Sequence, residues 1–389
     1  MPNVLVLDAN QRSALAVVRS LGSHGLSVIT ADHAHHSLGG ASRFSAASVQ
    51  YPDPATAPVA FAESINSTVE RLNITAVVPA TDLTTMLLVS QPNPLKSARL
   101  VAPERESYEA LTDKALLIEL AAHLGIRIPD TRIATTPGDI IAASRELGFP
   151  LVLKPARSRY MTSGRVYSTA VEIVKTPGEL AETFNRCTWI KDIPCLIQQF
   201  IPGYGAGIFA LYATSNAIAW FAHRRIREKP SGGGVSVLSE SVAVDPNLRA
   251  ISDRLLSAVG WSGVAMVEFR IGEDGTPYLM EVNGRFWGSL QLSIDCGLDF
   301  PWLAYQLAMN EPPEPPADYA IGRRLRWLLG DLDRLIIELK QRLPNAGTHF
   351  APVGTFLRTF LDPSCRQEIF RISDPGPGFR EVAQWLRAL

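Results

Sequence analysis

Cysteine is scarce in this 389-residue chain. Cys187, Cys195, Cys296 and Cys365 form no CxxC pair and have no histidine partners at zinc spacing, so neither a disulfide framework nor a structural zinc site is encoded. A reducing, cytoplasmic setting fits that pattern. No apolar run reaches the ~18 residues of a membrane span, and the opening MPNVLVLDAN has neither a basic n-region nor an apolar h-region. Neither insertion nor secretion is expected. Excess charge is missing too: 37 Lys and Arg face 38 Asp and Glu, and no overall field draws the chain to nucleic acid or anionic lipid. Internal repeats are absent, and no G-x-G-x-x-G follows the first apolar strand, so the residues imply no dinucleotide. What remains is an ordinary globular composition, 46% hydrophobic and 19% charged with 28 Gly and 28 Pro, in a chain longer than the ~250 to 300 residues at which one core stops growing. Several compact units are expected.

The first unit reads as an open α/β sheet. A short apolar strand over 4–7, a turn at Asp8-Ala9-Asn10, a helix over 13–21, a strand over 26–29, a helix over 55–72 and a buried strand at 76–78 follow in order. Ligands of such sheets gather at the carboxyl ends of strands, here Asp8, Asn10 and the loop Pro79-Ala80-Thr81-Asp82. Asp8 and Asp82 read equally well as helix caps. A helix is expected over 104–125, a strand over 131–134, a helix over 137–147, and strand pairs near 151–154 and 166–174. The Pro-rich run Glu311 to Pro316 marks a boundary, and a helix over 325–343 begins at Arg323, Arg324 and Arg326. Those arginines read as a solvated face, with a phosphate contact as the alternative.

The strongest constellation lies between Gly263 and Ser289. Asp274-Gly275 is the preferred dipeptide of a two-residue hairpin loop, and such a turn sets Glu268 opposite Glu281. Facing carboxylates repel, and such a pair normally occurs where a cation offsets the repulsion. Asn283, two residues beyond Glu281, shares its face and adds a neutral oxygen. Two carboxylates and an amide suit Mg²⁺. The alternative is an exposed hairpin face, against which stands the apolar alternation around Glu268.

Other signals are weaker alone. Lys154 ends an apolar strand just before Pro155, where a lysine can meet phosphate as a point charge or simply be solvated; Lys114, on the preceding helix, reads the same two ways. The segment 195–201, CLIQQFI, is a strand whose edge could bond a flat base, with Gln198 adding an amide, or simply a buried strand. His223-Arg224-Arg225 closes a strand over 217–222. Arg227, Lys229 and Ser231-Gly232-Gly233-Gly234 follow, suiting either an anionic substrate under a mobile lid or a solvated hairpin loop. Ser289 begins a helix whose N–H groups would suit an anion.

Taken in order, Asp113-Lys114, Val152-Leu153-Lys154-Pro155, Gln198-Gln199-Phe200-Ile201-Pro202-Gly203, Glu268 and Glu281-Val282-Asn283 resemble the ATP-grasp superfamily over roughly residues 1–310. Within it they look nearest to the carboxylate-amine ligase branch related to carbamoyl-phosphate synthetase and biotin carboxylase. The resemblance implies an α/β fold: an open α/β pre-ATP-grasp domain (1–103), a small lobe with its linker helix (104–190), a large lobe carrying the metal hairpin (191–310) and a C-terminal helical extension (311–389). It implies ATP and Mg²⁺, two ions, with Mn²⁺ able to substitute. Lys114 and Lys154 match the phosphate-contacting lysines. Gln198 matches the position near the adenine amino group, and Gln199 and Ile201 match those whose backbone reads the base edge. Glu268, Glu281 and Asn283 match the metal ligands, and Arg285 the arginine facing the transferred phosphate and acyl group. Asp82, Arg224, Arg225 and Ser289 are the candidates for substrate contact. Two departures stand out. The loop 156–164, ARSRYMTSG, has one glycine where the family has a Gly-rich phosphate cover, with Arg157, Arg159, Ser163 or Gly164 as replacements; and Asn283-Gly284 replaces the usual Asn-Pro.

The function implied is ATP-dependent joining of a small-molecule carboxylic acid to an amine through an acyl phosphate, releasing ADP and phosphate, with no nucleic-acid partner and a homodimer allowed. The alternatives are a bicarbonate-using carboxylase or carbamoyl-forming enzyme of the same fold, and a nucleotide-binding regulatory protein without turnover.

Overall fold

The run Val4-Leu5-Val6-Leu7 is buried on both faces. Val4 and Val6 pack with Ala14, Val17 and Val18 of helix Arg12–Ser23, while Leu5 and Leu7 pack with Phe61 and Ile65 of helix Pro58–Arg71. Double coverage is why the strand is continuously apolar rather than alternating. The computed structural model describes residues 1–91, 95–156, 159–162, 165–191, 193–230, 234–342 and 350–388. Asn3–Val6 is the centre of a five-stranded parallel sheet, flanked by Ser27–Asp32 and Ile74–Val78.

Beyond it come a four-stranded antiparallel sheet, a seven-stranded sheet and a separate two-stranded hairpin. The four-stranded sheet runs Glu172–Val174, Leu151–Pro155, Cys195–Gln199, Thr131–Ala134. Cys195–Gln199 is therefore a strand of this sheet, while Gly203–Ala213 belongs to the seven-stranded one. The expected strand over 166–174 divides: Arg165–Ser168 pairs with Arg159–Thr162 as a two-stranded flap, and Glu172–Val174 pairs with Leu151 to Leu153. The stretch 156–164, where the resemblance expects a Gly-rich cover, contributes the strand Arg159–Thr162 to this flap; Arg157, Ser163 and Gly164 lie outside the described residues.

The helix expected over 104–125 breaks in two, Arg105–Thr112 and Lys114–His123. Asp113 is the break: its carboxylate accepts from Ala115 N at 3.0 Å and Leu116 N at 3.4 Å, capping the second helix. Lys114 thus starts a fresh helix, and its own N–H donates to Ala156 O at 2.9 Å.

The charged stretch after His223 is no loop. Asn216–Lys229 is one strand of the seven-stranded sheet, and its cations have partners: Arg224 with Glu240, Arg225 with Glu268, Arg227 with Asp331 and Lys229 with Asp333. Ser231, Gly232 and Gly233 lie outside the described residues. The C-terminal segment carries helices Leu328–Arg342, Phe350–Arg358 and Gly376–Ala388, and adds strands Arg324–Arg326 and Cys365–Gln367 to the large sheet. Arg326 is accordingly no solvated helix residue: it is fully buried, bonded through Nε to Asp331 Oδ2 at 2.8 Å and stacked on Phe356 and Phe360.

Candidate functional site

The antiparallel strands Gly263–Gly272 and Pro277–Asn283 do set Glu268 opposite Glu281, with Met266 opposite Asn283. The turn that does so is not the expected one. Ile271 faces Pro277 and Phe269 faces Leu279, and Gly272 N donates to Thr276 O, so three residues, Glu273 to Gly275, form the loop. Gly275 takes the positive φ of +78° that such a loop demands. A bulge at Met280, between the Glu268 and Phe269 pairs, then shifts the register back. The two departures cancel at the glutamates.

Around this pair the structure gathers cations. Arg225 NH2 lies 3.2 Å from Glu268 Oε2, and Lys114 Nζ lies 3.8 Å from Glu281 Oε2. Asn283 Nδ2 donates to both carboxylates at 3.3 Å. Arg285 donates to Asp82 through Nε at 2.8 Å and NH2 at 3.1 Å, and NH2 reaches Asn283 Oδ1 at 3.4 Å. Asp82 is thus no cap: Thr81 caps that helix by accepting from Thr84 N, and Asp82, in its first turn, forks onto Arg285. Asp8 holds the loop that carries it. Its backbone sits at φ +54°, and its carboxylate accepts from Thr84 Oγ1, Ala80 N and the Tyr51 hydroxyl. That makes Asp8 a scaffold residue.

Gly284 explains the Asn-Gly departure. A Cβ there would stand 2.9 Å from both Trp261 and Tyr108, so no side chain fits between Asn283 and Arg285.

The electrostatics follow the geometry. Burial, and then the facing Glu281, push the Glu268 carboxyl up to about 7, against the opposing pull of Arg225 and Arg285. Burial brings the Lys154 ammonium down to about 8; Glu281 resists and Lys114 adds to the fall. A carboxylate pair whose repulsion is only partly offset by the chain's own cations has the donor character of a hard-cation site, and a half-turn of the Asn283 amide would present Oδ1 in place of Nδ2. Among the described residues no three His, Cys, Asp or Glu side chains are grouped so as to hold a metal ion; the donor set here is two carboxylates and an amide.

A stability consequence follows for the metal-free protein. Between pH 4.5 and 7 the folded chain keeps a proton on Glu268 that the unfolded chain has released, so this group's contribution is full below 4.5 and is lost as pH rises through 7. The melting temperature should fall across that window by a few degrees more than that of Glu268→Gln. Parallel pH profiles of the two proteins would refute the assignment.

The other candidates divide. Lys114, Lys154, Gln198 and Ser289 are buried; Gln199 is exposed. Gln198 Nε2 donates to Thr131 Oγ1 at 3.0 Å, and its Oε1 is a buried acceptor without a partner. Cys195–Gln199 is paired on both sides, and Gln199 N donates to Asp130 O, so this stretch offers no free edge; Ile201 O accepts from Arg270 Nε. Arg224 turns away from Arg225 into an ion pair with Glu240. Ser289 Oγ is bonded to His223 Nε2 at 2.9 Å, within a buried stack of His223, Phe209 and Trp287. Arg224 and Ser289 are therefore engaged elsewhere. Arg159 lines the cavity beside Lys114, together with Met86 and Tyr108, which sequence reasoning missed. Tyr108 had a signal in its spacing of three from Leu111; Met86 had none.

Residues 192–328 match the model of a family described as ATP-grasp in the biosynthetic pathway with Ter operon. An uncharacterized protein, y4rH, of Sinorhizobium fredii is 30% identical over 220 residues, covering 52% of this chain and 43% of that protein, so the chain spans under half the length of that relative. N5-carboxyaminoimidazole synthetase from Staphylococcus aureus superposes with a TM-score of 0.64 at 13% identity, over 87% of this chain and 86% of that one. L-amino acid ligase from Bacillus licheniformis superposes with a TM-score of 0.62 at 20% identity, over 79% and 74%.

Proposed function

We propose that this chain, which has an ATP-grasp fold and matches an ATP-grasp family model over residues 192–328, is an ATP-dependent ligase that joins a carboxylic acid to an amine through an acyl phosphate. The observation that carries the reading is the facing pair Glu268 and Glu281, completed by Asn283 and bordered by Lys114 and Arg285. A carboxylate cannot expel oxide when an amine attacks it. Transfer of a phosphoryl group to one of its oxygens makes a leaving group, and that transfer needs positioning and charge neutralisation rather than a protein nucleophile.

Glu268, Glu281 and Asn283 would hold Mg²⁺, one ion or two, which supplies charge neutralisation of the triphosphate. Lys154 and Lys114 meet its phosphates as point charges. Gln198 Oε1 offers an acceptor for a nucleobase amino group, since a buried acceptor without a partner costs ~1 to 3 kcal/mol. Ile201 lies past the end of the paired strand, where backbone can meet the base. Arg285, its plane fixed by Asp82, faces the oxygen that becomes anionic when the amine adds. The four free cysteines suit a reducing cytoplasm. The name of the superposed Bacillus licheniformis protein supports the bond formed.

The test is product analysis with an acid and hydroxylamine, a small amine that captures acyl phosphates. ADP, phosphate and hydroxamate should form in equal amounts and require Mg²⁺. ADP release that needs bicarbonate instead of the acid would assign N-carboxylation, and nucleotide binding without ADP over a broad panel would assign a non-catalytic role.

A further inference from the structure

We propose that the acid activated here has an apolar body, a phenyl ring or a branched aliphatic group, held in a chamber beside the carboxylate hairpin; the inference rests on the ligase reading. A cavity of about 250 Å³ lies between helix Asp82–Val89, helix Arg105–Thr112 and the hairpin strand Pro277–Asn283. One end is polar: Asp82, Lys114, Glu281 and Asn283 border it. The walls leading away carry Met86, Leu87, Tyr108 and Leu111, and Ser90, Glu109 and Thr112 line the chamber with them.

The reacting carboxylate must lie among the groups that surround the transferred phosphoryl, so the rest of the acid extends away from them, and the chamber opens from that point. The lining holds the cations Lys114 and Arg159 beside the carboxylates Asp82, Glu109, Asp113 and Glu281, so it is the place of the reacting carboxylate, not the charge of the border, that assigns the chamber to the acid. Its size sets the class. A cavity of ~150 Å³ holds benzene, and clefts for drug-sized ligands begin near ~300 Å³, so a single ring or branched chain with its carboxyl arm fits and a long acyl chain does not. Against Met86, Leu87 and Leu111 a polar atom finds no partner, at ~1 to 3 kcal/mol each, whereas Ser90, Glu109 and Thr112 leave polar contacts only on the rest of the wall.

The experiment measures hydroxamate and ADP formation by the full chain with phenylacetate, isovalerate and succinate, alongside calorimetric binding of each acid in the presence of Mg²⁺ and a non-hydrolysable ATP analogue. The apolar acids should exceed succinate in kcat/KM by at least ~10-fold. Met86→Trp, which fills the chamber, should raise the KM for phenylacetate at least ~10-fold and leave the KM for ATP unchanged. A parallel rise for ATP would make the chamber the adenine site and overturn the inference. Preference for succinate would overturn it while leaving the ligase standing. Binding of phenylacetate without turnover would uphold the chamber and sink the ligase, and binding of neither acid class would overturn the chamber. Should Met86→Trp fail to fold, the wild-type panel and the calorimetry decide alone.

Discussion

Glu281→Gln should lose at least ~10²-fold in turnover and at the same time raise the melting temperature of the metal-free protein. The two effects have one cause. Glu268 and Glu281 face each other across the hairpin, and Glu281 helps hold the Glu268 carboxyl near 7, so the fold carries a repulsion that the amide removes. Against this gain stands the loss of the Lys114 contact, but at 3.8 Å, with over a third of the Glu281 side chain exposed, that pair contributes little. Relief of the repulsion wins, and a rise of a few degrees is expected. Activity runs the other way. One charge of the hard-cation donor set is gone, and Lys154, whose ammonium Glu281 supports, loses its proton more readily, so phosphate binding weakens as well. Removing a single preorganised electrostatic group from a reacting centre typically costs ~10² to 10³ in rate. Glu273→Gln, at the exposed tip of the same hairpin, should change neither quantity. A stabilised variant with wild-type turnover at unchanged Mg²⁺ would remove the hairpin from the reaction.

How far the sequence could be read depended on the range of the interaction concerned. The parallel sheet around Val4 to Leu7 and the pairing of Glu268 with Glu281 follow from local apolar pattern and turn chemistry, although the pairing survives through a three-residue loop and a compensating bulge that neither dipeptide nor period encodes. The break at Asp113 was written locally, in an Asx residue with two N–H groups ahead of it, but the flanking apolar residues read as one helix. Charge misled the reading in two places. Arg224 to Lys229 looked like a loop because the partners Glu268, Asp331 and Asp333 lie on elements distant in sequence; Arg326 looked like a surface although Asp331 is near in sequence, because the rings of Phe356 and Phe360 that cover it come from a later segment. Nor does any local pattern announce that Asp82, 203 residues before Arg285, forks onto it.

That ion pair joins the N-terminal sheet to the carboxylate hairpin, and it accounts for a chain of apparently unrelated choices. Asp8 adopts a strained φ to hold the loop through Ala80 and Thr84; the loop sets Asp82; Asp82 sets the plane of Arg285; and Gly284 is small because Trp261 and Tyr108 close in behind the turn. Strain and a missing side chain at such positions are what a positioned functional group costs a fold. Tyr108 stands at both the Gly284 contact and the wall of the chamber, so the proposed acid site and the placing of Arg285 share one residue.

Arg285→Ala should therefore slow amide formation by ~10² to 10³, and the path of oxygen tells whether it acts on the step proposed. An acid labelled with ¹⁸O in its carboxyl group attacks the γ-phosphorus through one labelled oxygen, which becomes the bridge of the acyl phosphate. When the amine adds to the carbonyl carbon, the carbon–oxygen bridge breaks and that oxygen departs with phosphate, so each amide formed delivers one label to inorganic phosphate. Direct adenylation would put the label in AMP. Arg285 donates to Asp82 with two nitrogens, to Phe286 O at 3.0 Å and to Asn283 Oδ1, so it is held rigid and pays little reorganisation when charge develops on the transferred phosphoryl group and on the carbonyl oxygen. Amide formation and label transfer should then fall together in Arg285→Ala, because both need the same donor. Asp82→Asn keeps the size but weakens the fork and should lower kcat by a smaller factor, about tenfold, with the KM for ATP unchanged. Label in AMP, or unlabelled phosphate beside a full yield of amide, would exclude the acyl phosphate even with ATP bound as described.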